Sequence, residues 1–253
     1  MAISDGPGWD GARNLADLGG FSLVGGGVTR HGVVYRSAAP EWLTAAGWRA
    51  AREAGLARVV DLRNTRERGR RQEHPVLDEA ATAGIEVVNL PTEDPDDPAF
   101  LAACGPWLDH PASWAPNLAL YPDRLARVFA ELARTPSPVL VHCAGGRDRT
   151  GMVCSMLLVL AGAEESAVCA SYEQGYRGAA RHSGHGWSYD PDAGSWTTDA
   201  PDRQVSPEEL DEEIAARLPT LREWIAATDV RGYLRDAGLT DRELDDVRAL
   251  LRP

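Results

Sequence analysis

The pattern with the clearest chemical potential is a cysteine followed six positions later by an arginine. Cys143 and Arg149 hold these positions in the segment 142–151, HCAGGRDRTG. A β-branched run typical of a buried strand precedes the cysteine, and an apolar stretch typical of a helix follows the arginine. The turn between them would direct the backbone N–H groups of residues 144–149 at one centre, where the helix N-terminus adds positive potential. Such a turn binds a phosphate-like dianion and lowers the pKa of a thiol at its base.

The other residues of this turn have distinct expected roles. Arg149 would donate two parallel hydrogen bonds to an oxyanion, and the two glycines would let the backbone approach it closely. The Thr150 hydroxyl would hydrogen-bond the sulfur, and His142 would order the loop rather than transfer protons. The residues expected to bind substrate are His142, Ala144, Gly145, Gly146, Arg147 and Thr150.

The reaction that suits this arrangement is phosphoryl transfer to Cys143. A thiophosphate would form on the sulfur, and water would then hydrolyse it. The loop amides and Arg149 would supply the charge stabilisation, so the sequence predicts no metal and no other cofactor. A lone buried cysteine would mean little, but the strand, the turn with glycines, the Arg-Thr pair and the helix together indicate a site.

A carboxylic acid must protonate the leaving oxygen of a phosphate ester. Asp148 lies inside the loop and is therefore close to any bound phosphate. Asp94 follows the predicted strand 85–90, on a loop that should flank the same end of the sheet, although an acidic run there is also typical of a solvated loop. We expect Asp148 or Asp94 to be the acid, with Asp148 slightly favoured and Glu93 or Asp96 as further alternatives.

Two other functions use a similar anion-binding cysteine loop. One is sulfur transfer or arsenate reduction, and the other is a catalytically silent phosphate-binding module. The Arg-Thr pair and the two nearby aspartates favour a phosphate ester over the first. Intact Cys143 and Arg149, together with an acid, argue against the second.

The elements that position the turn are those of an α/β protein, because strand and helix patterns alternate. A hairpin is predicted from 21–24 and 33–35. The other predicted strands are 58–62, 85–90 and 139–141, and the predicted helices are 43–54, 120–134 and one from about 149. This alternation predicts a central, mostly parallel sheet flanked by helices.

The remaining segments complete a single predicted domain, 1–253. Residues 176–205 lack periodicity, so a loop or lid is predicted there. Residues 206–253 form a helical C-terminal part, with Ser206-Pro207 opening one helix and a Thr240-x-x-Glu243 capping box opening the last. The aromatic residues of the predicted lid are Trp187, Tyr189 and Trp196.

Composition argues against several classes of protein. The chain has 253 residues and a formal net charge of −12, and all 26 of its basic residues are Arg. The acidic balance argues against nucleic acid as a partner. Four scattered cysteines without a Cys-x-x-Cys pair indicate neither a disulfide framework nor a zinc site.

No segment of the sequence predicts a membrane anchor or an export signal. The longest apolar stretch, 152–163, is too short to span a bilayer, and the first 14 residues lack a basic start and an apolar run. We therefore expect a cytoplasmic protein without stable membrane insertion. The sequence indicates no oligomeric state.

The segment HCAGGRDRTG resembles the signature loop of the Cys-dependent phosphatases. More narrowly, it is similar to that of bacterial tyrosine/lipid phosphatases, whose loop has the pattern His-Cys-x-x-Gly-Lys-Asp-Arg-Thr-Gly. Other segments that resemble motifs of that family extend the similarity over most of the chain: 14–20 with 35–37, 60–63 and 232–238.

The resemblance implies a phosphomonoesterase that acts on phosphotyrosine, with a wider range to phosphoserine, phosphothreonine or phosphoinositides. Its partners would be a phosphorylated protein or a phospholipid or inositol phosphate. Two positions depart from the pattern. Arg147 stands where the family usually has Lys, which weakens the implied phosphoinositide contacts, and Ala16 replaces the Arg of the N-terminal motif.

Overall fold

A five-stranded sheet lies at the centre of the computed structural model, which describes residues 7–135, 138–182, 188–190, 192–197 and 205–253. Its strand order is β1-β2-β5-β3-β4, and only β1 is antiparallel to its neighbour. The strands are β1 (Ala16–Asp17), β2 (Val34–Ser37), β3 (Arg58–Asp61), β4 (Glu86–Asn89) and β5 (Val139–His142). The mostly parallel α/β fold is therefore confirmed.

Helices cover both faces of this sheet, and a short hairpin lies outside it. The helices are α1 (Ala45–Glu53), α2 (Pro98–Cys104), α3 (Trp114–Leu120), α4 (Pro122–Arg134), α5 (Asp148–Ala161), α6 (Glu165–Ala180), α7 (Pro207–Ala227), α8 (Val230–Asp236) and α9 (Asp241–Leu251). The hairpin strands are β6 (Ser188–Asp190) and β7 (Ser195–Thr197). None of the helices in the described ranges is long and apolar enough to cross a membrane.

The central strand β5 divides its side chains between two apolar clusters. Val139 and Val141 belong to the large cluster that includes α4, α5 and α9, whereas Leu140 belongs to the small cluster with Trp48 of α1. This alternation follows from the two-residue period of a strand. Helix α5 is buried on nearly all sides, so its apolar run forms the core of the larger cluster.

Two local predictions from the sequence are wrong. Segment 21–24 does not pair with β2, since Gly25–Gly27 turn the chain back so that Ser22 bridges Val28, and β2 pairs with β1 and β5 instead. The predicted lid also begins too early, because α6 continues to Ala180 and buries Tyr176 and Ala179.

The predicted caps of the C-terminal helices are confirmed. Ser206 and Glu209 form a capping box at the start of α7, and Thr240 and Glu243 form another at the start of α9. Each box satisfies two backbone N–H groups that the helix leaves without partners. Of the predicted lid, Tyr189 and Trp196 are described, while Trp187 lies outside the described residues.

Candidate active site

The signature loop connects the end of β5 to the start of α5. Because β2, β3 and β5 are parallel and in register, the loop emerges at the sheet edge where Ser37 and Asp61 also lie. Gly146 adopts a positive φ of 67°, and a Cβ there would lie 2.5 Å from the backbone of Ser37. Only glycine fits this position, so the close packing of the loop on β2 explains why a glycine is needed there.

The backbone N–H groups of the loop are available to a ligand. Within the described residues, none of the N–H groups of 144–149 donates a hydrogen bond. The first N–H groups of α5 belong to this set, so the helix N-terminus adds its positive potential. Cys143, at the start of the loop, is only 3% exposed. Unengaged N–H groups at a helix N-terminus are the arrangement with which proteins bind anions, and here a thiol lies at its base.

Arg149 is held by a carboxylate that the sequence analysis did not identify. Its Nη1 donates to Glu67 Oε2 at 2.5 Å and its Nη2 to Glu67 Oε1 at 2.6 Å. This end-on pairing leaves the Nε edge of the guanidinium for an oxyanion. Burial opposes the charge of Arg149, but Glu67, Glu93 and Cys143 hold its pKa well above the usual value.

A second acidic side chain, Glu93, approaches the same guanidinium. Glu93 Oε1 lies 3.4 Å from Arg149 Nη1, and the Glu93 side chain is 12% exposed. Burial, with the neighbouring Glu67 and Asp148 carboxylates, raises the pKa of Glu93 to about 7. Glu93 is therefore partly protonated at neutral pH. At Glu67 burial also raises the pKa, but the charge and hydrogen bonds of Arg149 lower it by more.

The two acid candidates occupy different environments. Asp148 lines the cavity, accepts hydrogen bonds from Arg147 Nε at 3.0 and 3.1 Å, and has a pKa raised by burial and by nearby Asp109. Asp94 accepts from Arg124 Nη2 at 3.3 Å, and its side chain is 42% exposed. Asp94 is not among the cavity-lining residues, although Glu93 is. Of the two predicted carboxylates, only Asp148 is brought to the cavity.

The cavity beside the loop has a volume of about 430 Å³. The β6–β7 hairpin supplies two aromatic side chains to its wall. Trp196 Nε1 donates to the Pro95 carbonyl at 3.0 Å, and the Tyr189 ring packs against Gly105. The lining residues are Asn64, Arg66, Glu67, Glu93, Pro95, Gly105, Pro106, Leu108, Asp109, Arg147, Asp148, Arg149, Tyr189 and Trp196.

Nearly the whole sequence matches one known protein family. The model of the tyrosine phosphatase family matches residues 7–252. The chain belongs to this family. The resemblance inferred from the signature loop is thereby confirmed.

Two curated proteins that are named as phosphatases align with about two thirds of this chain. A protein of Cupriavidus necator, named as a candidate tyrosine-protein phosphatase, is 28% identical over 65% of this chain and 60% of its own length. The triple specificity protein phosphatase PtpB of Mycobacterium tuberculosis is 28% identical over 68% of each chain. The match to the first relative thus spans less than two thirds of that protein.

Solved structures of P. aeruginosa TpbA, one of them in complex with pTyr, share 18% identity with the chain. The aligned regions span 77% and 78% of this chain and 87% and 88% of the TpbA chains, and the TM-score is 0.30 in both cases. A similarity at this level adds nothing to the fold described above.

Two flanking residues of the family signature, His142 and Thr150, are fully buried. The His142 Nδ1 lies 3.1 Å from the Cys143 carbonyl oxygen, and burial lowers the pKa of His142. Its contact with the loop agrees with an ordering role. The Thr150 hydroxyl makes no hydrogen bond to any described residue, so the predicted bond to the sulfur is not formed here.

Arg147 and the described acidic residues complete the charge pattern of the site. The Arg147 guanidinium lies 5.0 Å from the centre of the Tyr176 ring and pairs with Asp148 and, at 3.9 Å, with Asp109. Across the described ranges, no group of three or more His, Cys, Asp or Glu side chains is arranged to hold a metal ion.

Proposed function

We propose that the protein hydrolyses phosphate monoesters, phosphotyrosine above all, through a thiophosphate on Cys143. The observation that carries the proposal is the pairing of unengaged loop N–H groups with an arginine whose end is fixed by Glu67. Both features suit the three non-bridging oxygens of a phosphoryl group. Membership of the tyrosine phosphatase family supports the same chemistry.

The proposed reaction has two steps. The Cys143 thiolate attacks phosphorus and forms the S–P bond, the ester P–O bond breaks, and Asp148 gives its proton to the leaving oxygen. In the second step Asp148 takes a proton from water, the water oxygen attacks phosphorus, and the thiolate leaves. The loop N–H groups and Arg149 stabilise the charge on the phosphoryl oxygens throughout.

The cavity wall supports a phosphotyrosyl substrate. An aromatic ring of the substrate can pack against Tyr189 and Trp196, which share the cavity with Asp148 and Arg149. Four carboxylates and three guanidiniums line this space, so a ligand with several phosphates meets more repulsion than one with a single phosphate. The relative PtpB is named for triple specificity, which supports a substrate range wider than phosphotyrosine for this chain as well.

Hydrolysis of a substrate panel tests the proposed function. In EDTA and reductant, we expect turnover of a phosphotyrosine peptide, with slower turnover of phosphoserine and phosphothreonine peptides and of phosphatidylinositol phosphates. Release of inorganic phosphate is the measurement. Turnover of lipid alone would overturn the phosphotyrosine assignment. No turnover of any ester would favour sulfur transfer, arsenate reduction or a silent phosphate-binding module.

The acid assignment gives a second prediction. We expect Asp148→Asn to lower kcat for a phosphotyrosine peptide about a hundredfold, because the tyrosyl leaving group then departs without a proton. The loss should be much smaller for 4-nitrophenyl phosphate, whose leaving group is more acidic. Asp94→Asn, the matched control, should stay within threefold of the wild type, since Asp94 faces Arg124. The reverse pattern would make Asp94 the acid.

A further inference from the structure

Every carbonyl group at the start of the signature loop is engaged by a donor or ring nitrogen. The Ala144 oxygen accepts from Ala39 N at 2.9 Å, and the Cys143 oxygen lies 3.1 Å from His142 Nδ1. In a trans peptide the carbonyl and the next N–H point in opposite directions. Contacts that hold these carbonyls on one side therefore direct the following N–H groups to the other side.

The next two carbonyls are held by side chains from the N-terminal part of the chain. Asn14 Nδ2 donates to the Gly145 oxygen at 2.9 Å and to the Gly146 oxygen at 3.1 Å, and Arg36 Nη2 donates to the Gly146 oxygen at 2.7 Å. Asn14 and Arg36 are 8% and 1% exposed. Asn14 also adopts a left-handed φ of 50°, which a non-glycine residue rarely does without a reason.

Arg36 is a buried charge without a carboxylate partner. Its Nη1 donates to the Ser171 carbonyl at 2.9 Å, and no ion pair joins it to any carboxylate in the described part of the chain. A buried cation in this situation is costly unless an anion is near. The loop that Arg36 contacts at Gly146 is the part of the molecule built to hold an anion.

Helix α6 is shaped to admit these two side chains. A Cβ at Gly175 would lie 1.9 Å from Arg36 Nη2, and a Cβ at Gly178 would lie 1.9 Å from Asn14 Oδ1. Asn14 Nδ2 also donates to the Gly175 carbonyl at 2.9 Å. Glycine disfavours a helix interior, so two glycines three residues apart indicate that this space is needed.

We propose that Asn14 and Arg36 are positioning residues of the phosphate site: they fix the Gly145 and Gly146 carbonyls so that the loop N–H groups converge on the phosphoryl oxygens. Arg36 also places a positive charge behind the loop that a bound dianion balances. The inference rests on the proposed function for its catalytic part, whereas its anion-binding part does not require turnover.

Tungstate binding and steady-state kinetics test this inference. Glycine accepts a positive φ, so Asn14→Gly removes the side chain with little backbone change. We expect Asn14→Gly to weaken tungstate binding, measured by calorimetry, about tenfold and to lower kcat for a phosphotyrosine peptide more than it raises KM. Arg36→Lys keeps the positive charge but loses the planar guanidinium. It should therefore bind tungstate more tightly than Arg36→Met, which loses both. The matched control is Thr29→Val, which removes a different buried side-chain-to-carbonyl hydrogen bond, from the Thr29 hydroxyl to the Leu18 oxygen.

Gly178→Ala provides a second test that leaves both donors in the sequence. Its methyl group should displace Asn14 and weaken tungstate binding about tenfold, while Thr29→Val should lower the thermal midpoint with tungstate affinity unchanged. The inference is overturned if folded Asn14→Gly and Gly178→Ala both bind tungstate within twofold of the wild type. A wild type that binds tungstate but hydrolyses no ester would overturn the proposed function and leave this comparison intact.

Discussion

Replacing Cys143 with Ser is expected to lower kcat for a phosphotyrosine peptide by at least about four orders of magnitude. The serine hydroxyl stays protonated near neutral pH and cannot form the phosphorylated intermediate that the thiolate forms. The loop N–H groups and Arg149 are unchanged, so tungstate should still bind. Initial rates in EDTA, together with calorimetric titration of the same protein, measure both effects.

Cys154→Ala is the matched control for the nucleophile. Cys154 lies on α5 in the core, and burial raises the pKa of its thiol to about 11. Its substitution should lower the thermal midpoint while kcat stays within threefold of the wild type. If Cys143→Ser retained more than about 1% of wild-type kcat, a thiophosphate intermediate would be excluded.

Substitution of Arg149 by Lys is expected to lower kcat/KM about a thousandfold. Lysine keeps the positive charge but has only three N–H donors and no planar fork, so it cannot make two bonds to Glu67 and two to phosphoryl oxygens at once. It also leaves Glu67 and Glu93 close to the phosphate with less compensation, and phosphate affinity should fall as well. Kinetics with a phosphotyrosine peptide and tungstate titration measure the two losses.

Arg177→Lys is a suitable control for this substitution. Arg177 pairs with Glu173 and Asp211 on the surface of α6 and α7 and is not among the cavity-lining residues. Activity within twofold of the wild type is expected for this variant. A loss below tenfold for Arg149→Lys would mean that charge alone is sufficient at this position.

The strand, loop and helix around Cys143 could be predicted because their signals are local. The β-branched run of β5, the loop glycines and the apolar α5 lie next to the cysteine in the sequence, so the local pattern of residue types is enough to predict them. Arg149 belongs to the same short segment. Its carboxylate partner Glu67 lies 82 residues earlier in the chain, and nothing in the local pattern distinguishes it from other acidic residues.

The other failures have the same physical origin. The glycines of α6 lower its helix propensity, and the contacts with Asn14 and Arg36 that require them join segments more than 130 residues apart. Tertiary contacts therefore decided the points at which periodicity and composition gave the wrong answer.

The burial of Glu93 beside Arg149 couples ligand binding to protons. Because its pKa is about 7, this carboxyl is partly protonated at neutral pH. A dianion that binds nearby disfavours the carboxylate further, so its arrival draws a fraction of a proton from solvent. We therefore expect affinity for the dianion to fall as pH rises through about 7, and calorimetry in buffers of different ionisation enthalpy to measure the proton uptake.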